Sequence, residues 1–184
     1  MTTHAALSLE DFLRIPEQQP GLELNPDHSI TQKMAPSFPH AELQVHLGYL
    51  LRRYLEEHPD QVGLVVSELR TTVGGASRLP DVGYYRGGRP PLGKAQDALS
   101  VADLVVEILS PSDDREQQRE KCRWYLTQGA SAVLLLDPQT EIAEYFGPGG
   151  VWDAYLGARS LPLDAILPGL GLTAENLFAI LRRP

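Results

Sequence analysis

Two short apolar runs, separated by a polar segment of helical length, constrain this chain most. Residues 102–109 read ADLVVEIL, apolar and β-branched, and residues 132–136 read AVLLL. Runs of this length and composition suit strands buried on both faces. Between them, Pro111-Ser112-Asp113 opens a helix that runs to about Gln128, with Gly129 after it as a stop signal. Asp137-Pro138 ends the second run. Strands of this kind belong in a sheet whose faces are covered by helices.

The rest of the chain supplies further elements. Ser8 to Ile15 reads as a short helix with Ser8 as cap, Asp11 at the third helical position and Pro16 beyond its end. Gly21 to Met34 reads as a hairpin around Asn25-Pro26-Asp27. Ser37 to Glu57 is a helix, because Leu43, Leu47, Leu50, Leu51, Tyr54 and Leu55 recur at three- and four-residue spacing, and Pro59 closes it. Gly63 to Val73 predicts one strand and Leu79 to Tyr85 another, with Gly74-Gly75 as the turn. Arg86 to Leu99, rich in Gly and Pro, predicts a mobile loop. Glu141 to Phe146 should pair with the 132–136 strand, Val151 to Leu156 should extend the meander, and Thr173 to Leu181 is a capped final helix. There is no repeat, low-complexity segment or linker, so residues 1–184 are expected to form one domain. The predicted fold class is α/β (α+β), a mixed central sheet flanked by helices.

Charge and cysteine count remove several function classes. Sixteen Lys and Arg against twenty-four Asp and Glu leave a net charge of −8, which argues against holding nucleic acid mainly by phosphate neutralisation. A cleft that binds a cation escapes that objection, since the ion lowers the site's own repulsion. One cysteine, Cys122, excludes an intrachain disulfide and a Cys-rich metal site, and the five histidines lack zinc spacing. There is no Gly-x-Ser-x-Gly elbow, and Gly74, Gly75, Gly87 and Gly88 are not followed by Gly-Lys-Ser/Thr as a P-loop requires. No apolar run reaches bilayer length, and residues 1–10 lack the basic-then-apolar order of a secretion signal, so no membrane association and a cytoplasmic protein are expected.

Two acids stand in unusual places. Asp81 follows Pro80 near the start of a predicted strand, and Glu107 lies inside VVEIL. A carboxylate in a buried strand is costly unless it is paired or bound to metal. Glu107 therefore ligates a cation, pairs with a buried Arg, or emerges at the strand's end. On the following helix Gln117, Lys121, Tyr125 and Gln128 share one face, so Lys121 either points its ammonium at the acids or is solvated. Glu68 either joins the acidic cluster or pairs with Arg70 or Arg78. Ser110, Ser112, Asp113 and Asp114 read as a helix cap.

The runs RLPDVGYY (78–85), DLVVEILSPSDD (103–114) and KCRWYLTQGASAVLLLDP (121–138) resemble the Uma2 family, which is placed in the PD-(D/E)XK nuclease superfamily with a restriction-endonuclease-like fold. GLELNPD (21–27) resembles that family's Tyr-Glu-Leu-Ile-Asp-Gly element, with Leu22 in place of the tyrosine. PSFPHAELQVHLGYLL (36–51) resembles its Pro-Ser-Pro-x-His helix start. The likeness spans about residues 8–165, a nuclease-like core, with the C-terminal helix (about 173–182) beyond it. It implies that Asp81 and Glu107 ligate a divalent cation, Mg²⁺ or Mn²⁺, with Glu23 as third acid. Leu109 occupies the place of the superfamily's usual lysine, so Lys121 would supply the positive charge. His40, Arg78, Arg115 and Gln117 are expected to meet the substrate, with further basic contacts from Arg86, Arg89, Lys94 and Arg119.

The expected function is that of a metal-dependent endonuclease acting on DNA. The rivals are a non-catalytic nucleic-acid-binding protein of the same fold and a homo-oligomeric interaction protein, its edge strands paired through Trp152, Tyr155 and the C-terminal helix. A homodimer is expected by analogy, since double-strand cutting needs two sites.

Overall fold

In a computed structural model, the described residues are 7–15, 21–93 and 96–182. The elements in chain order are α1 (Leu9–Leu13), β1 (Leu22–Leu24), β2 (Ile30–Gln32), α2 (Phe38–Glu57), β3 (Gly63–Ser67), β4 (Thr71–Val73), β5 (Ala76–Arg78) and β6 (Val82–Arg86). They continue with β7 (Leu104–Ile108), α3 (Arg115–Thr127), β8 (Ala132–Asp137), β9 (Ile142–Gly147), β10 (Val151–Tyr155) and α4 (Ala174–Phe178).

The two apolar runs become β7 and β8, which pair in parallel at the centre of a six-stranded sheet of order β10-β9-β8-β7-β6-β3. The other neighbours in this sheet are antiparallel. The α3 crossover makes the parallel pairing possible, because parallel strands cannot be joined by a tight turn. Alternation along β7 sorts its side chains between two layers. Leu104, Val106 and Ile108 pack in the core that holds Leu43, Leu47 and Leu51 of α2. Val105 and Leu109 pack instead with Cys122 and Tyr125 of α3. Glu107 shares the parity of Val105 and Leu109, so it belongs to the α3 side.

A second sheet, of order β2-β1-β5-β4, holds the N-terminal hairpin. Its formation changes the reading of two segments. The predicted strand 63–73 is divided between the two sheets as β3 and β4, whereas the predicted strand 79–85 keeps only its later part as β6, and β5 (Ala76–Arg78), not expected from the sequence, joins the small sheet ahead of it. The break in the first falls at Glu68, whose φ is 53°, a left-handed conformation that ends a ladder. The break between β5 and β6 falls at Pro80, which has no N–H to donate and whose carbonyl instead accepts from the Glu68 amide at 3.2 Å. Gly74 and Gly75, both at positive φ, close the β4–β5 hairpin as expected of that pair.

Other boundaries move for local reasons. The described part of the 86–99 segment is pinned rather than loose: Ala98 donates to Arg70 O at 2.7 Å and accepts from Thr72 N at 2.8 Å. Lys94 lies outside the described residues, as does Pro16. α1 is capped by Ser8, which accepts from the Asp11 amide at 3.1 Å. α3 begins at Arg115 rather than at Pro111, with Asp114 accepting from Gln117 N at 2.9 Å and Asp113 from Ser110 N at 2.7 Å. Thr173 caps α4 by accepting from Asn176 N at 3.1 Å, and a 3₁₀ turn over Ala179–Arg182 replaces the end of the predicted helix. No described helix is long and apolar enough to cross a membrane.

Candidate active site

The β6–β7 pairing places the two unusual acids side by side. Val82 faces Val106 across the antiparallel ladder, so Asp81, one residue before β6, comes opposite Glu107. Both are almost fully buried, at 1% and 3% exposure. Each is held by specific donors. Asp81 Oδ2 accepts from the Ile108 amide at 2.6 Å, and Oδ1 lies 3.0 Å from His40 Nε2 and 2.6 Å from Lys33 Nζ. Glu107 Oε1 accepts from the Tyr125 hydroxyl at 2.9 Å and lies 3.0 Å from Lys121 Nζ, which also donates to Oε2 at 3.1 Å. Lys121 and Tyr125, four residues apart on α3, thus grip one carboxylate because they share a helix face.

Glu23 enters from the small sheet. Its Oε1 accepts from the Leu79 amide at 2.6 Å and from Lys121 Nζ at 2.9 Å, so Lys121 joins two buried carboxylates. Glu68 is part of the same constellation through Lys33, whose Nζ donates to Glu68 Oε1 at 2.8 Å and to the Leu79 carbonyl at 3.0 Å. Arg70, the partner considered for Glu68, turns away to Ser77 Oγ at 3.0 Å. Arg78 is buried, and its guanidinium lies over the Trp124 ring at 4.8 Å. Its Nε has no hydrogen-bond partner.

These environments set the charges. Burial would raise Asp81, but the hydrogen bond from His40 and the Lys33 ammonium outweigh it and hold the carboxyl at about 2. Glu107 is different: burial dominates, Lys121 only partly offsets it, Asp81 adds repulsion, and the carboxyl is pushed up to about 7. Burial of Lys121 would lower it, yet Glu107 and Glu23 raise it above the ordinary lysine value. Glu23 would be raised by burial, but Lys121 and the Leu79 amide bring it below the usual carboxylate range. Two carboxylates thus favour the charged form of Lys121, while burial favours the protonated form of Glu107.

Glu23, Lys33, His40, Arg78, Asp81, Glu107, Gln117 and Lys121 all line one cavity of about 630 Å³. A larger cavity of about 1030 Å³ lies between α2 and the C-terminal segment, but it contains none of the buried acids. Chemistry rather than size singles out the smaller one. Arg115 and Arg119 do not line it: Arg115 pairs with Asp137 and Glu144, and Arg119 with Glu144 at 2.7 Å. Arg86 is turned to Asp103 and the Ala165 carbonyl, and Arg89 does not line the cavity either. Among the described residues, the cations that do line it are Lys33, Arg78 and Lys121.

Lys33 is not marked out in the sequence. The hairpin register places it: Glu23 faces Thr31 in the ladder, and period-two alternation then puts Lys33 on the face of Glu23. Recognising it required knowing that this face covers the acids.

Among the described residues no three His, Cys, Asp or Glu side chains stand close enough together to hold a metal ion as they are. The donor chemistry nevertheless suits a hard divalent cation: buried carboxylate oxygens of Asp81 and Glu107 on one cavity with Glu23 beside them, and the exposed Glu68 joined to Asp81 through Lys33. Lysine ammoniums now satisfy the oxygens that such an ion would need.

Comparison with known proteins agrees with this architecture. The family model Uma2, described as "Putative restriction endonuclease", matches residues 9–175. Among solved structures, the crystal structure of "a putative nuclease belonging to DUF820 from Anabaena variabilis" superposes with a TM-score of 0.85. That match covers 95% of this chain and 99% of the other at 24% identity, a likeness of fold. No curated protein matches the chain.

Proposed function

The chain belongs to the Uma2 family, and from that membership we propose that it is a nuclease hydrolysing phosphodiester bonds of DNA at a divalent-cation site built on Asp81 and Glu107. One observation carries the reading. Two carboxylates from paired strands, buried at 1% and 3% exposure, open onto a cavity whose Arg78 keeps a buried Nε without a partner. Buried donors are rarely left unsatisfied, and a guanidinium in that state suits a phosphate oxygen.

Asp81 and Glu107 would hold the ion, Mg²⁺ or in its place Mn²⁺, with Glu23 completing the acidic wall. Such a cation supplies Lewis-acid polarisation of the phosphoryl oxygens. The chain's own residues do the rest. His40 and the Ile108 amide fix the orientation of Asp81. Lys121, charged and tied to Glu107 and Glu23, offers fixed positive potential to charge developing on the phosphate. Arg78, stacked on Trp124, is placed to receive a phosphodiester oxygen, and Gln117 lines the same wall. A homodimer would bring two such sites to one duplex.

A second reading, a nucleic-acid-binding protein without catalysis, draws on the saturation of Asp81 and Glu107 by internal donors. Calorimetric titration of Mg²⁺ and Mn²⁺ into the wild type and Asp81→Ala, with DNA cleavage assayed on the same samples, separates the two. The nuclease reading expects binding that vanishes in the variant and cleavage that requires the metal. Binding without cleavage would mean a real site with another substrate. No binding at millimolar metal, even with DNA present, leaves the binding module.

A further inference from the structure

Lys33 has a position that the nuclease reading does not use. Its Nζ lies 2.6 Å from Asp81 Oδ1, 2.8 Å from Glu68 Oε1 and 3.0 Å from the Leu79 carbonyl oxygen. Three oxygens of two kinds, carboxylate and carbonyl, converge on one ammonium. That donor set is what a hard cation seeks. Lys33 is also the more exposed of the two lysines, its side chain at 19% against 8% for Lys121. It stands just beyond the exposed strand β2, whereas Lys121 is locked between Glu107 and Glu23 on α3. The ammonium of Lys33 can leave; that of Lys121 cannot without stranding two buried carboxylates.

Resting on the divalent-cation reading above, we propose that Lys33 is a resident counter-cation, occupying the cation position at Asp81 until a divalent ion displaces it into the cavity. The acids Glu23, Glu68, Asp81 and Glu107 gather around Lys33 and Lys121, so an unmatched cluster would be strongly self-repelling. Lys33 lets the chain fold around that cluster without metal. The exchange of one cation for another then keeps the local charge nearly balanced. The same exchange makes metal binding weaker than the acids alone would give, because the ion must first break the contacts of Lys33. The released side chain stays tethered beside His40 and Arg78, on the cavity wall that a phosphodiester would meet.

The test is titration of Mn²⁺ alone, without nucleic acid, into the full chain as wild type, Lys33→Met and Lys33→Arg, followed by calorimetry. Removing a unit charge a few ångströms from the ion should tighten binding by on the order of tenfold or more in Lys33→Met. Lys33→Arg, which keeps the charge, should show no such gain. A purely structural lysine would lower the melting temperature of Lys33→Met without tightening Mn²⁺. The wild type gives a second readout that needs no variant: acylation of Lys33, followed by mass spectrometry, should rise several-fold when Mn²⁺ saturates the site. Equal or weaker Mn²⁺ binding by a folded Lys33→Met, or acylation indifferent to Mn²⁺, overturns the counter-cation role and leaves the nuclease reading standing. Failure of every variant and the wild type to bind Mn²⁺ overturns that reading too.

Discussion

Glu107 is 3% exposed, with Tyr125 and Lys121 donating to it, and burial outweighs Lys121 in setting how tightly it holds a proton. Its carboxyl is raised from 4.5 to about 7, so in the metal-free protein the folded state holds this proton more tightly than the unfolded chain does. The sign follows by linkage: the stability contributed by Glu107 is complete below about 4.5 and is lost as pH rises through about 7. Urea denaturation of metal-free wild type and Glu107→Gln across pH 4.5–8 should show the wild type losing stability relative to the variant as pH rises. A difference that is flat with pH, or grows in favour of the wild type, contradicts the buried state of Glu107. At this scale the sequence was informative about the acids and about Lys121, because a charge inside an apolar run is conspicuous. It was silent about Lys33, which lies in an unremarkable polar stretch whose importance comes from the strands it approaches.

Among elements, α2 carries the clearest division between a packing face and a free one. Leu47 is fully buried against the sheet, whereas Val45, two residues earlier, is 75% exposed. Leu47→Ala should therefore cost roughly 2–5 kcal/mol, and Val45→Ala within about 0.5 kcal/mol, by chemical denaturation. Similar costs for the two would mean that α2 is rotated from this orientation. The periodicity of Leu43, Leu47 and Leu51 announces that face in sequence, and the capping residues announce the helix ends to within a few positions. The strands were less legible. An apolar alternation shows that a segment is extended but not which sheet it joins, and the passages at Glu68 and Pro80 depend on a positive φ and a missing donor that act only once two sheets exist.

For the whole molecule, a net charge of −8 sets the terms on which nucleic acid can approach. The basic residues expected from the loop and from the start of α3 are mostly neutralised, Arg115 and Arg119 by Asp137 and Glu144 in a clamp between α3 and strands β8 and β9. Among the described residues, only Lys33, Arg78 and Lys121 line the cavity as cations. Binding of DNA by Asp81→Asn, measured by fluorescence anisotropy between 50 and 200 mM salt, should give a logarithmic slope no steeper than about −3, roughly one per phosphate contact. A slope beyond about −6 would mean that a basic surface elsewhere dominates.

The order of the helices, the two buried runs at 102–109 and 132–136, the exceptional carboxylates and the family's motifs were all determined by the sequence itself, because each rests on local pattern: periodicity, caps, and a charge where none should be. The tertiary structure alone decided which strands share a sheet, that Arg115 faces acids rather than the cavity, and that Lys33 and Glu68 join Asp81. Those facts depend on contacts between residues far apart in the chain, such as Lys33 with Asp81 or Glu23 with Lys121, and no local pattern encodes a distance across the fold.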